Sequence, residues 1–265
     1  METAVDFLQA GAGPAVVLVH SSVSGARQWR RLMDDLKGDF HVRAVNLLGY
    51  GKTPPWMNAR SQTLDDQARV VEAAIPHGAD DVCLVGHSFG GSVAMKAAAR
   101  LGARVRKLVL FETNPFYLLQ QNGRVAAYAE AVALRDLVKE CAARNDWEAA
   151  AARFADYWGG AGTWAATPDD RRAAFMLALR PNYFEWDAVM NETTSAADWA
   201  HTLPRATLLI SDPKTVLPIR DIEALLRHAA PHWYHQHIAG GGHMAPLTAP
   251  QLVNPLIVTF LRGAG

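Results

Sequence analysis

Val85-Gly86-His87-Ser88-Phe89-Gly90-Gly91 lies between the apolar run Asp81–Val85 and the Ala-rich stretch Ser92–Arg100. Strand, tight turn and helix therefore follow one another directly, and the turn carries the pattern G-x-S-x-G. The glycines remove the Cβ atoms that would obstruct so sharp a reversal. The serine between them is expected in a strained backbone conformation with its hydroxyl presented outward. The following helix would aim its free amides and the positive end of its dipole at the same point. Ser88 is thus the candidate nucleophile, and the turn calls for a parallel sheet with helices packed on it.

The rest of the chain is consistent with that sheet. On the N-terminal side, Ala15–His20 and Val42–Leu47 read as strands, while Arg27–Leu36 and Leu64–Ile75 read as amphipathic helices. Val5–Gln9 precedes the turn Ala10-Gly-Ala-Gly-Pro14, which suggests an opening antiparallel hairpin with Ala15–His20. On the C-terminal side, Val105–Phe111 is another apolar strand. Alternation is lost from about Asn114 to His201, where Ala, Arg and Trp recur at helical spacing. It returns with Ala206–Ser211, Ile219–His228, Trp233–Ile238 and Pro250–Leu261. The expected organisation is a core domain of residues 1–113 and 202–265, split by a helical cap of residues 114–201.

A serine hydroxyl is a weak nucleophile and needs a base. The candidate is His243 in Ile238-Ala-Gly-Gly-Gly-His243-Met-Ala-Pro246, a flexible loop between the last strand and the last helix. His228, His232, His235 and His237 also cluster. They alternate along a strand without Cys or Asp partners, so a solvated edge is expected there and no metal site.

Composition narrows the class of partner. The 265 residues are 50% hydrophobic and 20% charged, and the 26 Lys and Arg balance the 26 Asp and Glu. No charge excess favours nucleic acid or an anionic membrane, so the expected partner is a small-molecule substrate. The two cysteines, Cys83 and Cys141, form no disulfide framework, and no basic, apolar leader is evident at the N-terminus. No run approaches the roughly 18 apolar residues of a membrane span. A cytoplasmic setting is the expectation, and apolar helices in the cap would leave room for a homodimer.

The elbow at Ser88, the His243 loop, Val16-Val-Leu-Val-His20-Ser-Ser-Val23 and Asn46-Leu-Leu-Gly-Tyr-Gly51-Lys-Thr53 together resemble the α/β-hydrolase superfamily over nearly the whole chain. The resemblance implies a mostly parallel eight-stranded sheet flanked by helices, with the helical cap inserted after the sixth strand. It also implies an oxyanion hole made by the amides of Ser22 and Phe89. Ser21 replaces the glycine that usually follows His20.

The acid of the triad departs from the usual pattern. In most of the family it follows the strand that here is Thr207–Ile210, and Leu208-Leu-Ile-Ser-Asp-Pro-Lys-Thr215 places Thr215 at that point. Glu112, closing the strand Leu108–Phe111, resembles the alternative acid site used elsewhere in the superfamily. Asp212, directly after the later strand, is the alternative, with Asp221 behind it. Phe116, Tyr117, Trp158, Phe184 and Met244 are the expected lining of an apolar pocket under the cap.

These residues imply a serine hydrolase that needs no cofactor and cleaves a small, largely apolar ester or lactone. A C–C bond hydrolase of vinylogous diketones is a rival, although such enzymes usually carry Asn where His87 stands. A perhydrolase or haloperoxidase and a non-catalytic ligand-binding homologue are the others. Dehalogenases and epoxide hydrolases need Asp in place of Ser88.

Overall fold

The computed structural model describes residues 4–263. Seven strands are present among them: β1 (Phe7–Ala10), β2 (Ala15–Val19), β3 (His41–Val45), β4 (Val82–His87), β5 (Val105–Phe111), β6 (Thr207–Ser211) and β7 (Tyr234–His237). They form one sheet in the order β1-β3-β2-β4-β5-β6-β7. All neighbours are parallel except β1 with β3. The sheet thus has one strand fewer than the eight expected, and the long helical insertion follows the fifth strand of the chain, not the sixth.

The opening hairpin is also corrected. β1 pairs antiparallel with β3, with Phe7 opposite Val45, and β2 lies on the other side of β3. The Gly-rich connection is therefore a crossing. Gly11 has φ 73°, and a Cβ there would fall on the carbonyl oxygens of Lys37 and Phe40. The glycine lets the chain slip past the backbone at the start of β3, where a hairpin reading needs only a tight reversal.

Helices α1 (Arg30–Leu36), α2 (Leu64–Ala73) and α3 (Phe89–Leu101) belong to the first half of the sheet. The connection from β5 to β6 carries α4 (Tyr117–Gln121), α5 (Val125–Ala143), α6 (Trp147–Gly159), α7 (Thr163–Ala166), α8 (Asp169–Leu179), α9 (Asn182–Met190) and α10 (Ala196–Thr202). The chain closes with α11 (Leu217–Ala229), α12 (Ala245–Thr248) and α13 (Pro250–Arg262). No helix among the described residues is long and apolar enough to cross a membrane.

The period-two pattern of the strands divides the core between two faces. Val17 and Val19 of β2 and Leu108 and Leu110 of β5 point to the side covered by α2, α3 and α11. Val16 and Leu18, with Val109 and Phe111, point to the side covered by α1 and α13. Both faces are buried, as parallel strands require. The C-terminal strand ends are left as the edge where a ligand can sit, under the helical insertion.

Candidate active site

Ser88 joins β4 to α3 with φ 54° and ψ −121°, a conformation that a non-glycine residue seldom adopts. The turn is close-packed: a Cβ on Gly86 would strike the Gly90 and Gly91 backbone, and one on Gly90 would strike the Val19 and His20 carbonyls. The strain at Ser88 is held by these contacts and by the bond from its amide to the Phe111 carbonyl, 2.9 Å. The hydroxyl is thereby raised above the sheet at the N-terminus of a thirteen-residue helix.

His243 Nε2 lies 3.0 Å from Ser88 Oγ, and His243 Nδ1 lies 2.7 Å from Glu112 Oε2. A carboxylate only accepts, so the ring proton sits on Nδ1 and Nε2 is free to take the serine proton. Glu112 directly follows β5 and has φ 43°, which turns its side chain across the sheet edge toward the histidine loop. Its oxygens also accept from the Asp212 amide (2.8 Å, Oε1) and the Thr215 hydroxyl (2.8 Å, Oε2). Glu112 is buried, and these donors stand in for the water it has lost.

The two other candidates for the acid, Asp212 and Asp221, have separate places, Asp221 on α11. Asp212 Oδ2 accepts from the Gly242 amide at 3.0 Å and Oδ1 from the Lys214 amide at 2.9 Å, so it fixes the backbone beside His243 and leaves the imidazole to Glu112. Thr215 stands where the family resemblance places the acid, and its hydroxyl donates to the Glu112 carboxylate that meets His243. His87 steadies the loop from below: its Nε2–H donates to the His243 carbonyl at 2.8 Å. Burial pushes the His87 imidazole well below its ordinary pKa, which keeps the ring neutral next to His243.

A cavity of about 280 Å³ opens over Ser88 and His243. Ser22 and Phe89 are on its wall. The Phe89 amide is the first of α3 and has no partner within the helix, and the Ser22 amide donates to no protein group among the described residues. Ser21, in place of glycine, is held by Gln28, whose Oε1 accepts from the Ser21 amide (3.0 Å) and hydroxyl (2.9 Å).

Of the five residues expected to line the pocket, Trp158 and Met244 do so. Trp158 stacks on His243, with ring centroids 4.1 Å apart. Phe116, Tyr117 and Phe184 lie off the cavity wall. Phe116 is buried and stacks against Trp186, and Tyr117 donates to the Thr194 carbonyl and accepts from Trp199 Nε1. Phe184 packs on Tyr183. The face α9 turns to the cavity is Asn182, Glu185, Trp186 and Val189, at spacings of three, four and seven from the first. Phe184 falls outside that stripe. Glu185 could have been found in the sequence by extending the helical face from Asn182.

The expected histidine cluster near β7 is dispersed over ordinary contacts. His235 bonds the Ala230 carbonyl, and His237 meets Ser211 and Arg227.

The chain matches the model of the alpha/beta hydrolase family over residues 16–256, and it belongs to that family. It is 38% identical over 106 residues to lipase LipV of Mycobacterium tuberculosis, a match covering 38% of each protein. It is 36% identical over 106 residues to 2-hydroxymuconate semialdehyde hydrolase of a Pseudomonas strain, covering 38% of this chain and 36% of that one. In both cases the matched stretch spans less than half the relative's length. The fold is similar to that of a hydrolase from Pseudomonas aeruginosa, with TM-score 0.77, 18% identity and coverage of 98% of this chain and 94% of the other.

Proposed function

We propose that this protein is a serine hydrolase acting on a small, largely apolar carboxylic ester or lactone. The observation that carries this reading is the continuous hydrogen-bonded series from Ser88 through His243 to Glu112, with spacings of 3.0 Å and 2.7 Å, at the floor of a mostly apolar cavity. In the first step the Ser88 proton moves to His243 Nε2 while Oγ bonds the carbonyl carbon. The Ser22 and Phe89 amides receive the oxyanion, a contribution worth about a hundredfold or more per donor. Glu112 holds the imidazolium, and the face of Trp158 adds a cation–π contribution of about 1 kcal/mol. His243 returns the proton to the departing alkoxide, leaving an acyl-enzyme. Water then attacks the acyl carbon, giving its proton to His243, which passes it to Ser88 Oγ as the C–Oγ bond breaks and the acid departs.

No cofactor enters these steps, and the partner is the small molecule itself. The two widely separated cysteines, both free, support a reducing compartment such as the cytoplasm. The cavity volume sits at the low end for small-molecule sites, which favours short acyl chains.

The test is hydrolysis of p-nitrophenyl esters from acetate to octanoate by wild type and Ser88→Ala, with fluorophosphonate labelling alongside. Turnover that falls with chain length and vanishes in Ser88→Ala is expected. Labelled Ser88 without turnover of any ester would overturn the ester reading and point to C–C bond cleavage. An unlabelled protein would point to a ligand-binding role.

A further inference from the structure

The mechanism above leaves one buried acid without a task. Glu185, on the cavity face of α9, is 1% exposed, and no lysine or arginine pairs with it among the described residues. Burying a lone carboxyl costs several kcal/mol unless other groups compensate it. Its compensation comes from three uncharged donors, and these lead to a single place. Ser22 Oγ donates to Glu185 Oε2 at 2.5 Å, and Asn182 Nδ2 donates to the same oxygen at 3.0 Å. Tyr50 donates its hydroxyl proton to Oε1 at 2.8 Å, and the same hydroxyl oxygen accepts from the Val23 amide at 3.0 Å. Asn182 also reaches Ser22 Oγ, at 3.3 Å.

The segment gripped this way is the one whose Ser22 amide is assigned to the oxyanion. Val23 within it has φ 69°, a left-handed conformation that is costly for a β-branched residue and persists only when neighbours enforce it. In this chain the glycine that would bend the segment freely is replaced by Ser21. The bend is imposed by side chains instead: Gln28 from the core holds one end, and Glu185 from the helical insertion, through Ser22 and Tyr50, holds the other.

We propose that Glu185 is a positioning residue that sets the oxyanion-binding amide of Ser22 through the Ser22 and Tyr50 hydroxyls, so that the placement of α9 governs transition-state stabilisation. This rests on the serine-hydrolase reading. It adds a role for the insertion beyond shaping the pocket: the core supplies the nucleophile, base and acid, whereas the geometry of the oxyanion site is completed from α9.

The experiment compares wild type, Glu185→Gln, Tyr50→Phe and the double variant in kcat and KM for the best p-nitrophenyl ester. Affinity for an alkyl boronic acid, whose tetrahedral Ser88 adduct carries the oxyanion charge, is measured in parallel. Misplacing one oxyanion donor is expected to lower kcat about tenfold to a hundredfold with KM within about twofold. Boronate affinity should fall by a similar factor. The double variant should be little worse than the worse single variant, because both cut one linkage. Tyr50→Phe keeps the ring that packs edge-on against His20, so it carries the test even if Glu185→Gln misfolds. Unchanged kcat in Tyr50→Phe, or a rise in KM alone in Glu185→Gln, would overturn the proposal, the latter by making Glu185 a substrate contact. Failure of the hydrolase reading itself would look different: wild type would neither turn over esters nor bind the boronate.

Discussion

At the residue scale, the pairing of Glu112 with Thr215 makes the strongest predictions. Glu112→Gln keeps the size of the side chain but removes the charge that fixes the His243 tautomer. Ester turnover should fall by about 10⁴, the scale of a triad acid's neutralisation. Asp212→Asn, which keeps an acceptor for the Gly242 amide, should lose far less. If the two variants lost equally, Glu112 would not be the sole partner of the imidazole. Because the Thr215 hydroxyl and His243 Nδ1 share Glu112 Oε2, Thr215→Asp combined with Glu112→Ser should recover part of the activity lost in Glu112→Ser alone.

His20 gives a pH prediction of the same local kind. Its Nδ1–H donates to the Ser21 carbonyl and its Nε2 accepts from the Leu47 amide, so only the neutral ring fits, and burial lowers its pKa to about 4. A histidine whose folded pKa lies below the unfolded 6.5 gives stability that is complete above pH 6.5 and is lost as pH falls toward 4. The whole shift corresponds to about 3 kcal/mol. Imidazole NMR should show His20 neutral at pH 5, and the urea midpoint should decline below pH 6.5. Glu185 acts in the opposite sense, since burial raises its carboxyl above the ordinary range. Its contribution is complete below the unfolded pKa of 4.5 and is lost as pH rises through the folded value. Glu185→Gln should therefore gain stability relative to wild type as pH increases from 4.5, read as a widening difference in urea midpoint.

At the scale of elements, the last helix is fastened by a buried cation. Lys107 on β5 donates from Nζ to the carbonyls of Phe260, Leu261 and Gly263, the orphan acceptors at the end of α13. Lys107→Met should cost about 2 kcal/mol in urea unfolding while leaving turnover intact. Equal stability would show that the helix is held by its apolar face alone. These elements also show what the sequence could reveal. Strands β2 and β6, the middle of β4 and the second half of β5 were readable because both faces are buried there, which leaves short apolar runs. The elbow and the His243 loop were readable because glycine has few reasons to cluster. The partner of β1 was not: a short strand with one apolar face does not specify its neighbour, and the crossing depends on backbone packing near Phe40. Glu185 was hidden for a similar reason. Its meaning comes from Ser22 and Tyr50, which are 163 and 135 residues away in the chain.

At the scale of the molecule, the sheet and the insertion meet in a division of labour. The strand ends hold Ser88, Glu112 and the His243 loop, and α6 and α9 supply much of the apolar wall through Phe154, Trp158, Trp186 and Val189. Trp158→Ala should enlarge the cavity and shift the ester preference toward longer chains. It should also lower kcat several-fold, since the imidazolium loses its aromatic face. A preference that did not move would place the chain-length limit elsewhere on the wall.

The contact between Thr215 and Glu112 has a consequence for descent. Thr215 and His243 Nδ1 meet at the same oxygen of Glu112, so an acid at either position would stand beside the imidazole, and a chain could exchange one for the other without losing a partner for His243. A chain with acids at both places would keep them as neighbours sharing a proton, the protonated one donating much as the threonine hydroxyl does now. Either acid could then be lost, and the survivor would inherit a ready hydrogen-bond partner.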